Sequence, residues 1–403
     1  MKNGNEQLST FSQALLWFGA AVSIAEIMTG ALLAPLGLLS GILAIILGHV
    51  IGAAILFPAG LIGAKSGLSS AESVRISFGK YGSFGFSLVN ILQLLGWTAI
   101  MIVNGAKALD GITYQLWSFQ NEKLWCVVIA LFICFWVVIG NKNLIRINTL
   151  VVTALLLFTI VLGFVVFKST GTVALTEEKM SFGAAVELNT AMSLSWLPLI
   201  SDYTRKLKKK TTGTLWSVIS YFIGSMLMFI IGLGASIYAG TSDITVILMS
   251  AGLGLIALVV VIFSTVTTTF LDVYSAGVST ANLNKKVNEK AAAVIVCFAG
   301  ALLAMFVPMS QYENFLYLIG SVFAPLFAIL FADYFLLHKI DINPSSSHSM
   351  KNIILWVIGF IGYRLLMPYN SIIGITLPVM AVMFSVSFII NKRKVGNINE
   401  SFN

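Results

Sequence analysis

The sequence predicts an all-α integral membrane protein of about twelve transmembrane helices. Three observations carry that prediction. Apolar runs of about 20 residues, long enough to cross a hydrocarbon core of about 30 Å, recur from end to end. Charged residues make up 10% of the 403 residues, against roughly 25% in a soluble domain, and 58% are hydrophobic, so lipid must cover most of the perimeter. Lys and Arg fall in alternate segments between the apolar runs, the pattern that orients membrane helices.

The runs place spans at about 11–38, 41–63, 84–108, 124–140, 147–167, 183–203, 215–239, 247–281, 291–307, 314–337, 352–367 and 371–391. The first follows a polar start, Met1 to Thr10, and is too long for the h-region of a cleavable signal peptide, so it reads as a retained span. With the N-terminus in the cytoplasm, 19 of the 24 Lys and Arg residues fall on the cytoplasmic side. The other five are Lys107, Lys123, Lys168, Lys179 and Arg364. An omitted or invented span would invert the pattern beyond the error, so the expected topology is twelve spans in the cell membrane with both termini cytoplasmic. The longest polar stretches, Lys168 to Ser181 and Lys339 to Lys351, leave no room for a soluble domain, so residues 1–403 read as one polytopic unit.

Several classes of function are excluded. The basic balance, with a pI near 9.3, comes from short inter-span segments and does not indicate nucleic acid as a partner. Cys126, Cys134 and Cys297 are dispersed in apolar segments with no CxxC, and read as small buried residues. His49, His338 and His348 are equally scattered, so no metal site is visible. His49 has no Ser or Asp partner near it in sequence, which argues against a membrane-embedded hydrolase. No cofactor is implied.

Four spans depart from a plain lipid-facing composition. Span 1 carries Glu26 about fifteen residues into its run, flanked by Gly19, Thr29 and Gly30, which favour a locally unwound backbone. An acidic residue at a helix centre costs about 3 kcal/mol to insert, so Glu26 faces inward, either bonding another helix or binding a ligand or proton. Span 6 contains Ser193-Leu194-Ser195-Trp196-Leu197-Pro198, where proline removes a backbone donor and the serines can satisfy freed carbonyls. Span 8 reads Phe263-Ser264-Thr265-Val266-Thr267-Thr268-Thr269-Phe270-Leu271-Asp272. Hydroxyls at 264, 267 and 268 share one helical face and suit a hard cation such as Na⁺, or bond back to their own helix. Span 3 places Gln93, Gly96, Trp97 and Asn104 well inside the membrane, where a Trp serves as packing or as a platform for a flat ring. Spans 1 and 6, each disrupted at its middle and each the first of five, suggest inverted repeats over about 11–167 and 183–337, with accessory spans over about 352–391.

These residues resemble the nucleobase–cation symporters, the family that includes cytosine permeases and hydantoin transporters. The resemblance is carried by Gly63-Ala64-Lys65-Ser66-Gly67-Leu68, by Arg75-Ile76-Ser77-Phe78-Gly79-Lys80-Tyr81-Gly82-Ser83 running into Gln93-x-x-Gly96-Trp97, and by Ser201-Asp202-Tyr203-Thr204-Arg205. Thr267-Thr268 with Tyr274 to Asn282, and Ala332-Asp333-Tyr334, add to it. The chain looks closest to the branch proposed to carry hydroxymethylpyrimidine, the thiamin precursor. The resemblance implies a leucine-transporter-like fold, a 5+5 inverted repeat plus two helices, with Na⁺ or H⁺ coupling and alternating access. Carried over by position, a sodium site would use the carbonyls of Gly19 and Val22 with Ser264, Thr267 and Thr268. Trp97 would stack on the substrate, with Gly96 allowing close approach and Gln93 beside it. Ser23, Glu26, Ala191, Met192, Ser193, Ser195, Thr269 and Asp272 would line the substrate's edge.

Two departures from the cytosine permeases stand out: Glu26 and Asp272 are acids at positions where those carry uncharged residues, and Thr269 replaces an Asn. A carboxylate can accept two N–H donors side by side, as an aminopyrimidine offers, and suits carbonyl-rich uracil or hydantoin poorly. The expected function is therefore secondary active uptake of a pyrimidine-type heterocycle coupled to a cation. A channel and an amino-acid carrier of the same fold are the alternatives.

Overall fold

The computed structural model describes residues 8–139, 180–239, 254–306, 312–369 and 371–400, with scattered helical positions between 153 and 168. Apart from an isolated bridge between Leu8 and Leu207, every regular element among these residues is helical. Among the described residues eight helices are long and apolar enough to cross a membrane, and nine if a bent pair at the start is one span. Span 6 is split into two short helices, span 12 is apolar over Thr376–Lys392, and expected span 5 lies mostly outside the described residues.

The first span is α1 (Thr10–Ala21) and α2 (Ile24–Ala31), bent by 50°. Ser9 caps α1 by accepting from the Ser12 amide at 3.1 Å. At the break Val22 and Ser23 leave the helical path, and Ser23 caps α2 by accepting from the Glu26 amide at 3.4 Å. A serine here gives the interrupted chain a side-chain partner in place of water. Next come α3 (Leu38–Ser66), α4 (Ser70–Ser73), α5 (Arg75–Trp117) and α6 (Glu122–Ile139). Sequence hydropathy limits span 3 to 84–108 and leaves Arg75 to Ser83 as a loop; in the structure that stretch is the first part of α5, kinked at Gly79 with φ 64°. Its polar residues find partners within the protein: Arg75 donates to Asn282, and Ser83 to the Ala71 carbonyl at 2.6 Å.

The sixth span repeats the interruption. Helix α7 (Phe182–Leu194) stops at Ser195 and Trp196, and α8 (Leu197–Thr204) restarts with Pro198 in its first turn, where no amide hydrogen is needed. The chain continues as α9 (Lys210–Ala239), α10 (Gly254–Leu283), α11 (Glu289–Phe306), α12 (Tyr312–Phe331), a π-helical turn (Ala332–Leu336), α13 (Ser346–Leu366) and α14 (Thr376–Glu400).

Two broken spans need close neighbours, and glycines supply the room. On α3, Gly48 faces Asn189 and the Val186 carbonyl, Gly52 faces Ser193, and Gly63 faces Ser201, so α7 and α8 lie directly on its backbone. On α9, Gly232 meets the Ile27 carbonyl of α2. Two buried carboxylates fasten the accessory helices to this core. Glu187 of α7 accepts from Tyr363, the amides of Ile375 (2.6 Å) and Thr376 (2.9 Å), and the Thr376 hydroxyl (2.6 Å). Asp333 accepts from Lys339 and His348, both at 2.9 Å, and from the amides of Asn352 (3.0 Å) and Asn391 (3.2 Å).

Candidate substrate and cation site

Between the two helix breaks lies a small cavity of about 20 Å³, room for about one water molecule. Span 1 contributes Ala20, Ser23, Ala25 and Glu26; α5 contributes Trp97 and Met101; the sixth span contributes Met192, Ser195 and Trp196; and α10 contributes Thr268 and Asp272. Aromatic rings pack around it. Toward the chain's start, buried Trp17 packs edge-on against Trp196 (5.3 Å) and Tyr203 (5.9 Å). Toward the N-terminal end of α12, the hydroxyls of Tyr312 and Thr29 lie 2.7 Å apart, and Trp97 packs edge-on against Tyr312 (6.0 Å) and Phe315 (5.5 Å).

Of the substrate-lining residues expected from sequence, Ser23, Glu26, Trp97, Met192, Ser195 and Asp272 come together on the wall. The others sit elsewhere. Gly96 abuts the ring of Phe315, 2.8 Å from where its Cβ would stand, so it admits α12. Ser193 packs against Gly52 of α3, and Ala191 is fully buried off the cavity. Thr269 is turned away and donates to the Thr265 carbonyl of its own helix at 2.6 Å, while Thr268 takes the cavity face. One residue rotates a helix by about 100°, which composition alone does not resolve. Gln93 lies behind the wall and donates to the Ser195 carbonyl at 2.9 Å, satisfying the break in span 6.

The residues of the expected cation site also divide. Ser264 donates to the Val22 carbonyl at 2.6 Å, and Thr268 to the Ala20 carbonyl at 3.3 Å. The α10 hydroxyls therefore meet carbonyls freed by the break in span 1. Thr267 bonds back to the carbonyls of Phe263 (2.8 Å) and Ser264 (3.2 Å) in its own helix. Gly19 is buried in the last turn of α1, one residue before the carbonyl that Thr268 reaches. Two hydroxyls and two carbonyls at one junction are hard oxygen donors of the kind Na⁺ takes.

The two acids on the wall are not equivalent. Glu26 is enclosed: Tyr221 donates to Oε1 at 3.1 Å, and Ser225 Oγ lies 2.6 Å from Oε2. Asp272 is buried with no hydrogen-bond partner among the described residues. Among the described residues Trp97 Nε1 and Gln93 Oε1 also lack partners. His49 corrects the sequence reading: although isolated in sequence, its Nε2 lies 2.7 Å from Ser225 Oγ. Tyr221 and Ser225, one turn apart in α9, and Tyr312 in α12 were likewise missed; the i, i+4 polar pair inside an apolar span was the available signal.

A cavity between two interrupted helices, within a bundle of long apolar helices, has the architecture of a membrane carrier. Residues 5–390 match the family of permeases for cytosine/purines, uracil, thiamine and allantoin, and the chain belongs to that family. It is 25% identical over 333 residues to a cytosine permease of Escherichia coli K12, covering 81% of this chain and 75% of the relative. A putative purine-cytosine permease of Bacillus subtilis is 24% identical over 345 residues, covering 79% and 74%. Among solved structures it is similar to Mhp1, a nucleobase-cation-symport-1 family transporter, closed with bromovinylhydantoin bound (TM-score 0.77, 18% identity, 95% and 92% covered). A Na⁺-coupled sialic acid symporter gives a TM-score of 0.70 at 14% identity, covering 96% and 89%. The fold is thus the leucine-transporter type expected from the resemblance.

Proposed function

We propose that this permease imports an aminopyrimidine-type heterocycle, of which cytosine and hydroxymethylpyrimidine are examples, by cation-coupled alternating access in the cell membrane with both termini cytoplasmic. The observation that carries the proposal is Asp272. A buried acid without a partner is costly unless a ligand completes it, and a carboxylate best accepts paired N–H donors. The indole N–H of Trp97 and the amide oxygen of Gln93 add an unused donor and an unused acceptor near the same cavity. Sialate or an amino acid would bring a carboxylate against a wall holding two acids and no Lys, Arg or His. That charge pattern argues against the amino-acid carrier.

In this reading Na⁺ binds at the α1–α10 junction, held by Ser264, Thr268 and the carbonyls of Val22 and Ala20. A cation there draws the two helices together beside Ser23 and completes the wall that substrate touches. Coupling is a binding free energy, so the cation tightens substrate binding and substrate tightens cation binding equally. Uptake of labelled cytosine and hydroxymethylpyrimidine into proteoliposomes, under Na⁺ and pH gradients applied separately, tests this reading. Accumulation that collapses with the gradient is expected. Uptake of uracil or amino acids instead, or equal cytosine affinity with and without Na⁺ across pH, overturns it.

A further inference from the structure

The contacts of Ser225 do not balance unless an extra proton is present. His49 Nδ1 lies 2.9 Å from the Ile45 carbonyl, which can only accept, so Nδ1 carries a hydrogen. A neutral His49 then has a bare Nε2, an acceptor, 2.7 Å from Ser225 Oγ. Ser225 Oγ is also 2.6 Å from Glu26 Oε2. Against an ionised Glu26, the one hydroxyl hydrogen of Ser225 would have to serve two acceptors at once. The contacts close when one proton is added. Glu26 Oε2–H then donates to Ser225, Ser225 to His49 Nε2, and His49 Nδ1–H to Ile45, while Tyr221 donates to Oε1. Placing that proton on His49 instead would leave an imidazolium and a carboxylate apart at membrane depth, which is the costlier distribution.

We infer that Glu26, Ser225 and His49 form a proton-binding site, occupied by one proton on the Glu26 carboxyl in this arrangement. Given transport as proposed above, that proton is a coupled ion alongside the cation at the α1–α10 junction. The site joins three elements that alternating access must move: α2 beside the break, α3 and α9. Glu26 also lines the cavity, so release has a route. The O–H bond of Glu26 breaks, the proton passes to cavity water, and carboxylate and imidazole then compete for Ser225. The loss of one hydrogen bond and the new charge both loosen α2 from α9. The other ionisable groups facing this site are Asp272 from α10, Tyr221 from α9 and Tyr312 from α12; α5 presents only Trp97 and Met101, and the sixth span only uncharged side chains.

Infrared difference spectroscopy of the lipid-reconstituted protein at neutral pH tests the site without any substrate. A protonated-carboxyl band that disappears in Glu26→Gln and survives in Asp272→Asn is expected, as is a frequency shift of the band in Ser225→Ala. A Glu26→Gln difference spectrum that removes only carboxylate bands overturns the proposal, because Glu26 is then ionised. A second arm uses variants outside the cavity: cytosine accumulation driven by an inward acid gradient should fall at least tenfold in Ser225→Ala and His49→Gln, while exchange of labelled for unlabelled cytosine persists. Undiminished acid-driven accumulation in both variants overturns the coupling. If cytosine is not carried at all, the transport reading fails and the infrared arm still decides the proton site.

Discussion

Two regions of the molecule bury carboxylates in opposite ways. Where the accessory helices meet the core, Glu187 and Asp333 each receive four donors. In the cavity between the helix breaks, Glu26 has two hydrogen-bond partners and Asp272 has none among the described residues. A saturated carboxylate is a fastener, because its desolvation is offset and any movement would break several charge-assisted bonds. An unsaturated one lining a cavity favours whatever ligand supplies the missing donors. The difference separates residues that hold the fold from residues that bind.

The comparison breaks most visibly at Glu187. Replacing it by alanine leaves two backbone amides and two hydroxyls without their acceptor, at a cost of about 3 kcal/mol. Thermal melting of the detergent-solubilised variant should fall by several degrees, with the heterocycle affinity of the folded fraction unchanged. An equal loss of affinity would mean that the accessory helices belong to the binding site. Ser264→Ala is the next in size. It removes one hydroxyl from the α1–α10 junction and should cost about 1 kcal/mol, roughly fivefold, in Na⁺ affinity with little change in melting. A melting loss without a Na⁺ effect would reassign Ser264 to simple bracing of the break.

The smallest effect belongs to Glu72, in the short helix α4 between α3 and α5. Burial alone would raise the Glu72 pKa, but the Ser69 amide (2.9 Å) and hydroxyl (2.9 Å), with Arg205 and Arg75, outweigh it and hold it below the usual carboxylate value. A carboxylate held low in the folded state stabilises above its unfolded pKa, and that contribution is lost as pH falls through the lowered value. The Arg205–Glu72 contact is 3.6 Å and partly exposed, so Glu72→Gln should change stability by less than about 1 kcal/mol at neutral pH. Its melting curve should converge with wild type in acid. Divergence in acid would reverse the assigned sign.

Much of this was legible in the chain because lipid makes polar residues conspicuous. Glu26, Ser195 and Asp272 stand out against apolar runs, and all three reach the cavity wall. The same rule applied to Glu187 would have marked it too, since an acid inside span 6 demands a partner as much as one inside span 1. What could not be read was pairing at a distance. Ser225 lies 176 residues from His49 and 199 from Glu26, and only the crossing of α2, α3 and α9 brings them together. Register was also hidden: Thr268 and Thr269 are equivalent in composition, and the packing of α10 decides which one faces inward. The helical reach of α5 was missed because its first turns depend on bonds to Asn282 and Ala71, whereas hydropathy registers only lipid.

Asp272 carries the central claim, and calorimetric titration of cytosine into wild type and Asp272→Asn, in one Na⁺ buffer at neutral pH, tests it most directly. Loss of a charge-assisted pair of hydrogen bonds should weaken binding by about 2 kcal/mol, roughly 30-fold, with melting unchanged. Equal affinity in the two proteins would contradict the assignment of Asp272 as the reader of the substrate's N–H donors.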